Sequence, residues 1–358
     1  VYLMSNRLTH VKFISAFIIA VIFMSTCVSR AGADSYEEGG GNVDDWYVRN
    51  YGISIGKYSE TTKDYGISFG YDTHADGSYS TAIGYKSHSS GTDSIALGTA
   101  NRANGARSIA IGKYAQATMQ DSIAIGTSNQ SDNGTMATGK FSIAIGSDTR
   151  AQADNALALG TLAQAQGKGS VALGGTNASA NGENSTALGT DASAQSNNST
   201  SVGYSAWATS DYATAIGAVS EANGNGSTAI GNGAMANAEY SVALGTGSIA
   251  STRNISAQDL YLGHNQNVAA TLKGNAGVVS IGSIGYANWG YEDLTRQLTG
   301  VAAGSYDTDA VNVAQLKGLG EAVSSVIGGG VSFDGGTGGV TVDGNPYDSL
   351  VDAIEELG

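Results

Sequence analysis

A five-residue unit closing on glycine returns at a fixed interval along most of this chain, and no other feature limits its fold so tightly. The copies run from GISIG at 52–56 through STAIG, SIALG and three SIAIG to SVALG at 241–245. The closing glycines are Gly56, Gly70, Gly84, Gly98, Gly112, Gly126, Gly146, Gly160, Gly174, Gly189, Gly203, Gly217, Gly231 and Gly245. Eleven of their thirteen intervals are 14 residues; the exceptions are 20, after Gly126, and 15, after Gly174. Self-similarity at a short fixed period is the mark of a solenoid. The composition, with 52 Gly, one Pro and only 13% charged residues, is by itself compatible with low-complexity disorder. Disorder keeps no register, so the period decides.

Fourteen residues are too few for a helical pair and suit two short strands with two tight turns. The residue before each glycine is apolar, as in Ile55, Phe69, Ile83 and Leu97, and the residue three before it is usually β-branched, as in Ile53, Thr81 and Ile109. Side chains two apart share a strand face, so these two columns lie together. The position between them is Ala or Ser in all fourteen copies. We read this column as a face against which something packs closely, most simply another subunit: Ala82, Ala96, Ala110, Ala124, Ala144, Ala158, Ala172, Ala187, Ala215, Ala229 and Ala243. A second, weaker strand is marked by small residues three and five after the glycine, such as Ala115/Ala117 and Ala163/Ala165. Asn104-Gly105 and Asn223-Gly224 supply turns. Fourteen stacked coils make a rod of about 65 Å at roughly 4.8 Å per coil. The long interval places six extra residues in a loop between Thr127 and Lys140.

Both flanks differ from the rod. Residues 1–33 read as an export signal, with Arg7, His10 and Lys12, an apolar run at 13–24, and Ala31-Gly32-Ala33 before Asp34, which puts cleavage between Ala33 and Asp34. This segment holds Arg7, Lys12 and Arg30 and no acid, so its removal takes the formal charge from −14 to −17. It also removes Cys27, the only cysteine, leaving stability to ladders and packing. Residues 34–51 flank the head at 52–250. The interval 251–295 reads as strand-rich, from Leu260/Leu262 and Val268/Ala270/Leu272, and ends in one further repeat, Val278-Val279-Ser280-Ile281-Gly282. At 296–327, Thr308 is placed to cap a helix with Asp309 in its first turn. Leu316, Leu319, Val323 and Val326 follow with the 3-4-3 spacing of a coiled-coil seam, near which Asn312 can lie. Glycines at 328–330 end that helix, strands are expected at 331–333 and 340–342 within a glycine-rich element at 328–347, and a last helix starts near Ser349.

Chemistry is sparse. Of four histidines, His10, His74, His88 and His264, no two have a metal-like spacing. Serines lack a nucleophile elbow, and the glycines follow the coil period instead of a phosphate loop. The acidic balance leaves no basic stripe for nucleic acid. We therefore expect no enzyme, no cofactor, no metal and no nucleic-acid partner. Tyr85, Tyr114, Tyr204 and Trp207 follow repeat glycines, where turns would expose them as contacts for a ligand.

Two motifs in order carry a family resemblance. The SIAIG/SVALG repeats resemble the head of trimeric autotransporter adhesins of Gram-negative bacteria. Arg296-Gln297-Leu298-Thr299-Gly300, followed by Thr308-Asp309-Ala310-Val311-Asn312-Val313-Ala314-Gln315-Leu316, resembles that family's neck. The segment from Gly328 to Ser349 is similar to the family's small three-stranded stalk element, with stalk helix beginning at 348–358. The resemblance implies a mainly β, left-handed parallel β-roll, a homotrimer, a neck and a short coiled-coil stalk segment. It further implies adhesion to host matrix proteins or cell-surface receptors, and attachment to the outer membrane through a C-terminal anchor that these residues do not include. In some members collagen binding is attributed to NSVAIGxxS units. The nearest matches begin at Asn184-Ser185 and at Tyr240-Ser241; the first departs at Thr186, Leu188 and Ala192, the second at Tyr240 and Leu244. The alternative to an adhesin is a structural spacer or protective coat.

Overall fold

The structure is a computed structural model of the chain, and it describes residues 36–38, 42–43, 51–129, 134–251, 265–272, 277–284, 292–327, 332–333, 340–342, 345–347 and 354–355. The export signal with its Ala33/Asp34 cleavage site, and the start of the last helix at Ser349, lie outside these residues.

Each repeat forms one coil with two strands. The first carries the glycine-closed unit, for example Ile95–Thr99 and Ile109–Lys113; the second has two residues, for example Arg102–Ala103 and Gln116–Ala117. First strands stack into a 16-stranded sheet and second strands into a 15-stranded sheet. Pairing is parallel and in register, Ile95 beside Ile109 beside Ile123 and Ala96 beside Ala110 beside Ala124. The ladder satisfies the backbone from coil to coil: Ile95 N–H donates to Ser108 O (2.9 Å) and Arg102 N–H to Ala115 O (2.8 Å). The fold is thus a parallel β-solenoid in which most backbone bonds join neighbouring coils, so stability builds by nearest-neighbour contact.

The interval exceptions leave the stacking intact. Across the 20-residue interval, Ile123 pairs with Ile143 and Gln116 with Met136, so the extra residues lie between Thr127 and Met136, outside both strands. The 15-residue interval appears as a register shift that sets Thr161 opposite Thr176. Val279–Ser280 pairs with Val242 and Ala243, which makes the expected further repeat one more rung of the first sheet.

The structure reverses the orientation expected for the strand faces. Ala82, Ala96, Ala110, Ala124, Ala144, Ala158, Ala172, Ala187, Ala215, Ala229 and Ala243 are fully buried within a single chain. They fill the inside of the coil together with the small residues of the second strand, such as Ala103, Ala117 and Ala165. They therefore cannot form a surface against a neighbouring subunit. The flattened coil leaves space between its two walls for a methyl or a hydroxyl only. The larger Ile, Leu, Val and Phe side chains are excluded and point outward.

In the first coils that interior is polar. Ser54 Oγ lies 2.8 Å from Ser59 Oγ, Ser59 donates to Ser68 Oγ (3.1 Å), and Ser68 Oγ lies 2.9 Å from Thr73 Oγ1. Buried Asn101 donates to Gly112 O (2.9 Å) and accepts from Ala115 N (2.9 Å), taking over bonds that an alanine in its column does not make. Paired in this way, the hydroxyls and the amide escape the cost of burial without a partner.

Residues 1–253 with 276–295 form one compact unit, and 254–275 with 296–358 a second. In the second unit the expected strand around Val268 is instead a short helix, Gln266–Ala269, whose start is fixed by Asn265 accepting from Asn267 N–H (2.9 Å). The helix Val313–Ile327 also starts later than expected. Thr308 lies in a turn, and the cap is Asn312: its Oδ1 accepts from Gln315 N–H (3.0 Å), while Gln315 Oε1 accepts from Asn312 N–H (3.3 Å). That reciprocal pair is a capping box with Asn and Gln in its two places. Three antiparallel strands follow, Ser332–Phe333, Val340–Val342 and Asn345–Tyr347, one more than the two expected from their residues alone.

Candidate binding surface

The outer face of the first sheet carries one apolar column along the whole rod, from Ile55 and Phe69 to Ile230 and Leu244, while the column two residues before it is apolar in the early and middle coils apart from Thr81 and turns to threonine at Thr186, Thr200, Thr214 and Thr228. Phe69 is 51% exposed, Leu188 42% and Leu244 46%, and Ile53, Ile67, Leu159, Ile216 and Ile230 are exposed to similar degrees. One apolar side chain above another over so many rungs exceeds the patch that a lone soluble chain ordinarily presents. Within the chain, by contrast, burial is mostly of Ala and Ser, which contribute little apolar area each. Full burial of each Ile or Leu would add roughly 1.5–3 kcal/mol relative to full exposure. The columns are half-buried already, so about half of that remains open to a partner.

The neck has the same character. Leu316, Leu319, Val323 and Val326 are all exposed along the helix, so among the described residues the seam is left uncovered. Ahead of it the backbone is pinned by side chains. Asp309 Oδ2 accepts from Ser305 N–H (2.8 Å) and Tyr306 N–H (3.0 Å), and these bonds hold its carboxyl below the usual carboxylate range. Gln315 donates to Gly304 O (3.0 Å) and accepts from Gly304 N–H (3.0 Å), and Asn312 donates to Val301 O (3.1 Å). Arg296, Gln297, Thr308, Ala310 and Val311 belong to the same irregular run before the helix, and Val311 is well exposed.

Most aromatic residues lie at the turns and strand ends, although Trp207, expected in a turn, stands on a second strand, Trp207–Ala208. Tyr51, Tyr65 and Tyr79 occupy one column and stack with centroids 5.0 and 4.9 Å apart; the latter two have positive φ. Tyr71 and Tyr85 stack at 5.4 Å in a second column, with Tyr58 edge-on to Tyr71 at 5.6 Å. Of the residues expected to meet a ligand, Tyr85, Tyr204 and Trp207 are exposed and Tyr114 is half-buried. Asn184 is exposed in a turn at φ 54°. Ser185 and Ser241 are not available: both are fully buried in the interior column that the small coil demands. The stacked tyrosines of the first coils are the larger aromatic surface. Their signal in the sequence was tyrosine repeated at the coil period, as in Tyr51, Tyr65 and Tyr79.

On the second sheet, His74 and His88 stand on adjacent rungs with ring centroids 5.6 Å apart. His88 Nε2 lies 2.8 Å from Asp76 Oδ2, and Thr62 donates to Asp76 Oδ1 (2.9 Å). The bond from His88 is the main cause that holds the Asp76 carboxyl below its usual value of 3.8, against the opposing effect of burial. A depressed folded value means that Asp76 contributes stability above about pH 3.8, which is lost as pH falls through the lower folded value. Asp76→Asn is therefore expected to flatten the acid limb of a pH–melting profile, by no more than about 1 kcal/mol for so exposed a pair. An unchanged acid limb would show the pair to be without weight. Among the described residues, no group of three or more His, Cys, Asp or Glu is placed to hold a metal ion. No described helix is long and apolar enough to cross a membrane.

A parallel β-solenoid with an exposed apolar flank and, in the second unit, a pinned neck before an exposed helical seam are the parts of a head-and-stalk protein. Comparison with known families agrees. Residues 62–87, 89–115, 117–149, 137–163, 151–175, 165–192, 194–220 and 222–248 match the YadA head domain repeat, and residues 297–338 match the coiled stalk of trimeric autotransporter adhesin. The chain belongs to the trimeric autotransporter adhesins. Autotransporter adhesin BadA of Bartonella henselae is 51% identical over 55 residues, which are 15% of this chain and 2% of BadA. The chain thus spans a small fraction of that relative's length. The crystal structure of the collagen-binding domain of Yersinia adhesin YadA aligns at 25% identity over 71% of this chain and 86% of that domain, with a TM-score of 0.26. That score is too low for the superposition to support any argument.

Proposed function

We propose that this chain is the head, neck and first stalk element of a homotrimeric adhesin on the surface of a Gram-negative bacterium, attaching the cell to host extracellular matrix or cell-surface receptors. The carrying observation is the apolar flank. Coils closed on Ala and Ser leave their largest apolar side chains outside, and association of identical chains is the simplest way to cover them. Three chains in register present every surface site three times and repeat it along the rod. Weak contacts then add through effective concentration, and no deep pocket or catalytic group is required. Membership of an adhesin family supports the same reading.

The test uses the purified chain without its first 33 residues. Light scattering after size exclusion is expected to give three times the chain mass. Solid-phase binding to matrix proteins and to host cells is expected to be saturable at micromolar trimer or below. A single-chain mass would overturn the assembly. A trimer that captures neither matrix protein nor cells would favour the spacer or coat.

A further inference from the structure

One turn edge of the rod carries a lysine beside a tyrosine on three of its first five coils and on no later coil. Where the first strand runs into its turn, the chain after Gly56 reads Lys57-Tyr58; after Gly70, Tyr71-Asp72; after Gly84, Tyr85-Lys86; after Gly98, Thr99-Ala100; after Gly112, Lys113-Tyr114. At the same edge of the later coils there is no Lys or Arg, from Ser147-Asp148 through Thr190-Asp191 to Thr246-Gly247. Charge follows the same division. Residues 52–114 hold six Lys/Arg and five Asp/Glu, a balance of +1, while 115–250 hold three and nine, a balance of −6.

The lysines do not stand free of the aromatics. Lys57 Nζ lies 4.8 Å from the Tyr58 ring centre, Lys86 Nζ 5.6 Å from that of Tyr85, and Lys113 Nζ 5.3 Å from that of Tyr114. Each ammonium is thereby held near its own turn by the ring quadrupole. Tyr58, Tyr71 and Tyr85 are themselves held by ring contacts, Tyr71 on Tyr85 and Tyr58 against Tyr71, so this part of the edge loses little side-chain freedom on binding. Because the ring faces cover one another, the surface left to a ligand is hydroxyls, ring edges and ammonium groups. The one acid in this run, Asp72, sits between two lysine-bearing turns and is outnumbered by them.

Spacing identifies the partner. Lys57, Lys86 and Lys113 lie on the first, third and fifth coils, so they are two rungs or about 10 Å apart along the axis, with Lys86 one residue further round the turn than the other two. An extended polysaccharide with an acid group on alternate sugars repeats its charge at about the same distance, since one pyranose is close to one rung in length. An extended acidic peptide carries its charges at a shorter period. We propose that this edge binds a linear anionic polysaccharide, with sulfate or carboxylate groups on the three lysines and sugar hydroxyls on the tyrosine hydroxyls. The inference deepens the adhesive reading, and rests on it in taking the rod's surface as a binding face.

The test compares the chain with two variants of equal charge change: Lys57→Gln/Lys86→Gln/Lys113→Gln, and Lys140→Gln/Arg150→Gln/Lys168→Gln. Binding is measured on a biosensor against heparin and chondroitin sulfate, against alginate as a bacterial-type polyuronate, and against neutral dextran and polyglutamate. The chain is expected to bind at least one anionic polysaccharide, weakening with added salt, and to ignore dextran. Preference for the sulfated chains or for alginate then separates a host source from a bacterial one. The first triple variant is expected to lose about tenfold or more in affinity, the second no more than about twofold. Equal losses in both variants, no binding to any acidic polysaccharide, or equal binding to polyglutamate would each overturn the proposal. Capture of matrix protein without polysaccharide binding sinks this inference alone. Polysaccharide binding on a chain that captures neither matrix protein nor cells sinks the protein-matrix reading alone.

Discussion

Gly98→Ala is expected to open the rod where it stands, at a cost of about 4 kcal/mol or more, in the range reserved for severe single substitutions. Gly98 has φ +124°, and a Cβ built on it would lie 2.0 Å from Gly112 O and 2.9 Å from Asn101 Nδ2. The atom in the way is backbone belonging to the next coil, so relief requires the two coils to part. Parting them breaks the ladder that gives each coil its stability. Gly233→Ala is the control. It has φ +62° with nothing within 4 Å of the added carbon, so it carries only the left-handed penalty of about 1–2 kcal/mol. Thermal melts followed by circular dichroism should separate the two by several degrees or more, and amide exchange should place the Gly98→Ala defect between residues 95 and 113. Equal effects would mean that the glycine column answers only a dihedral requirement and not the close approach of coils.

That distinction explains what the sequence could and could not disclose. Glycine spacing reported the coil, its stacking and both irregular intervals, because each closing glycine is required wherever one coil meets the next. The alternation Ile-Ala-Ile reported two faces correctly, since side chains two apart always share one. It could not report which face is inside. The ordinary expectation puts large apolar residues in the core, but this coil is too thin to hold them, and the thickness of a coil is a tertiary property. The same geometry removed Ser185 and Ser241 from the ligand candidates. The helix start was a different kind of miss. Thr308 and Asn312 are both good caps, yet only Asn312 has a glutamine three residues on, and that signal was already present in the chain. The tyrosine stacks were legible as residues at the coil period, whereas the lysine contacts with them depend on side-chain geometry that a one-dimensional pattern does not contain.

Ala110→Leu and the outward triple Leu97→Lys/Ile111→Lys/Ile125→Lys are expected to fail in opposite ways. Ala110 is fully buried and has Ala96 and Ala124 directly on either side in register. A leucine there needs volume that the two walls do not provide, and overpacking of this kind costs about 1–3 kcal/mol even in cores that can yield. Walls pinned by ladder bonds on both sides yield less, so a loss of about 3 kcal/mol or more is expected, at any protein concentration. The lysine triple lies on the half-buried outer face, where one chain alone can leave the new side chains in water. Its coils should form, with the strand signal in circular dichroism retained. In a trimer packed on that face, the same substitution would bring several like charges together without partners, and association should be lost. The expected readings are therefore a low melting temperature with trimer mass for Ala110→Leu, and single-chain mass with folded coils for the lysine triple. Trimer mass for the lysine triple would move the subunit contact to another face of the rod. A normal melt for Ala110→Leu would mean that the interior is wider than the ladder geometry allows, and would return the alanine column to consideration as a contact surface.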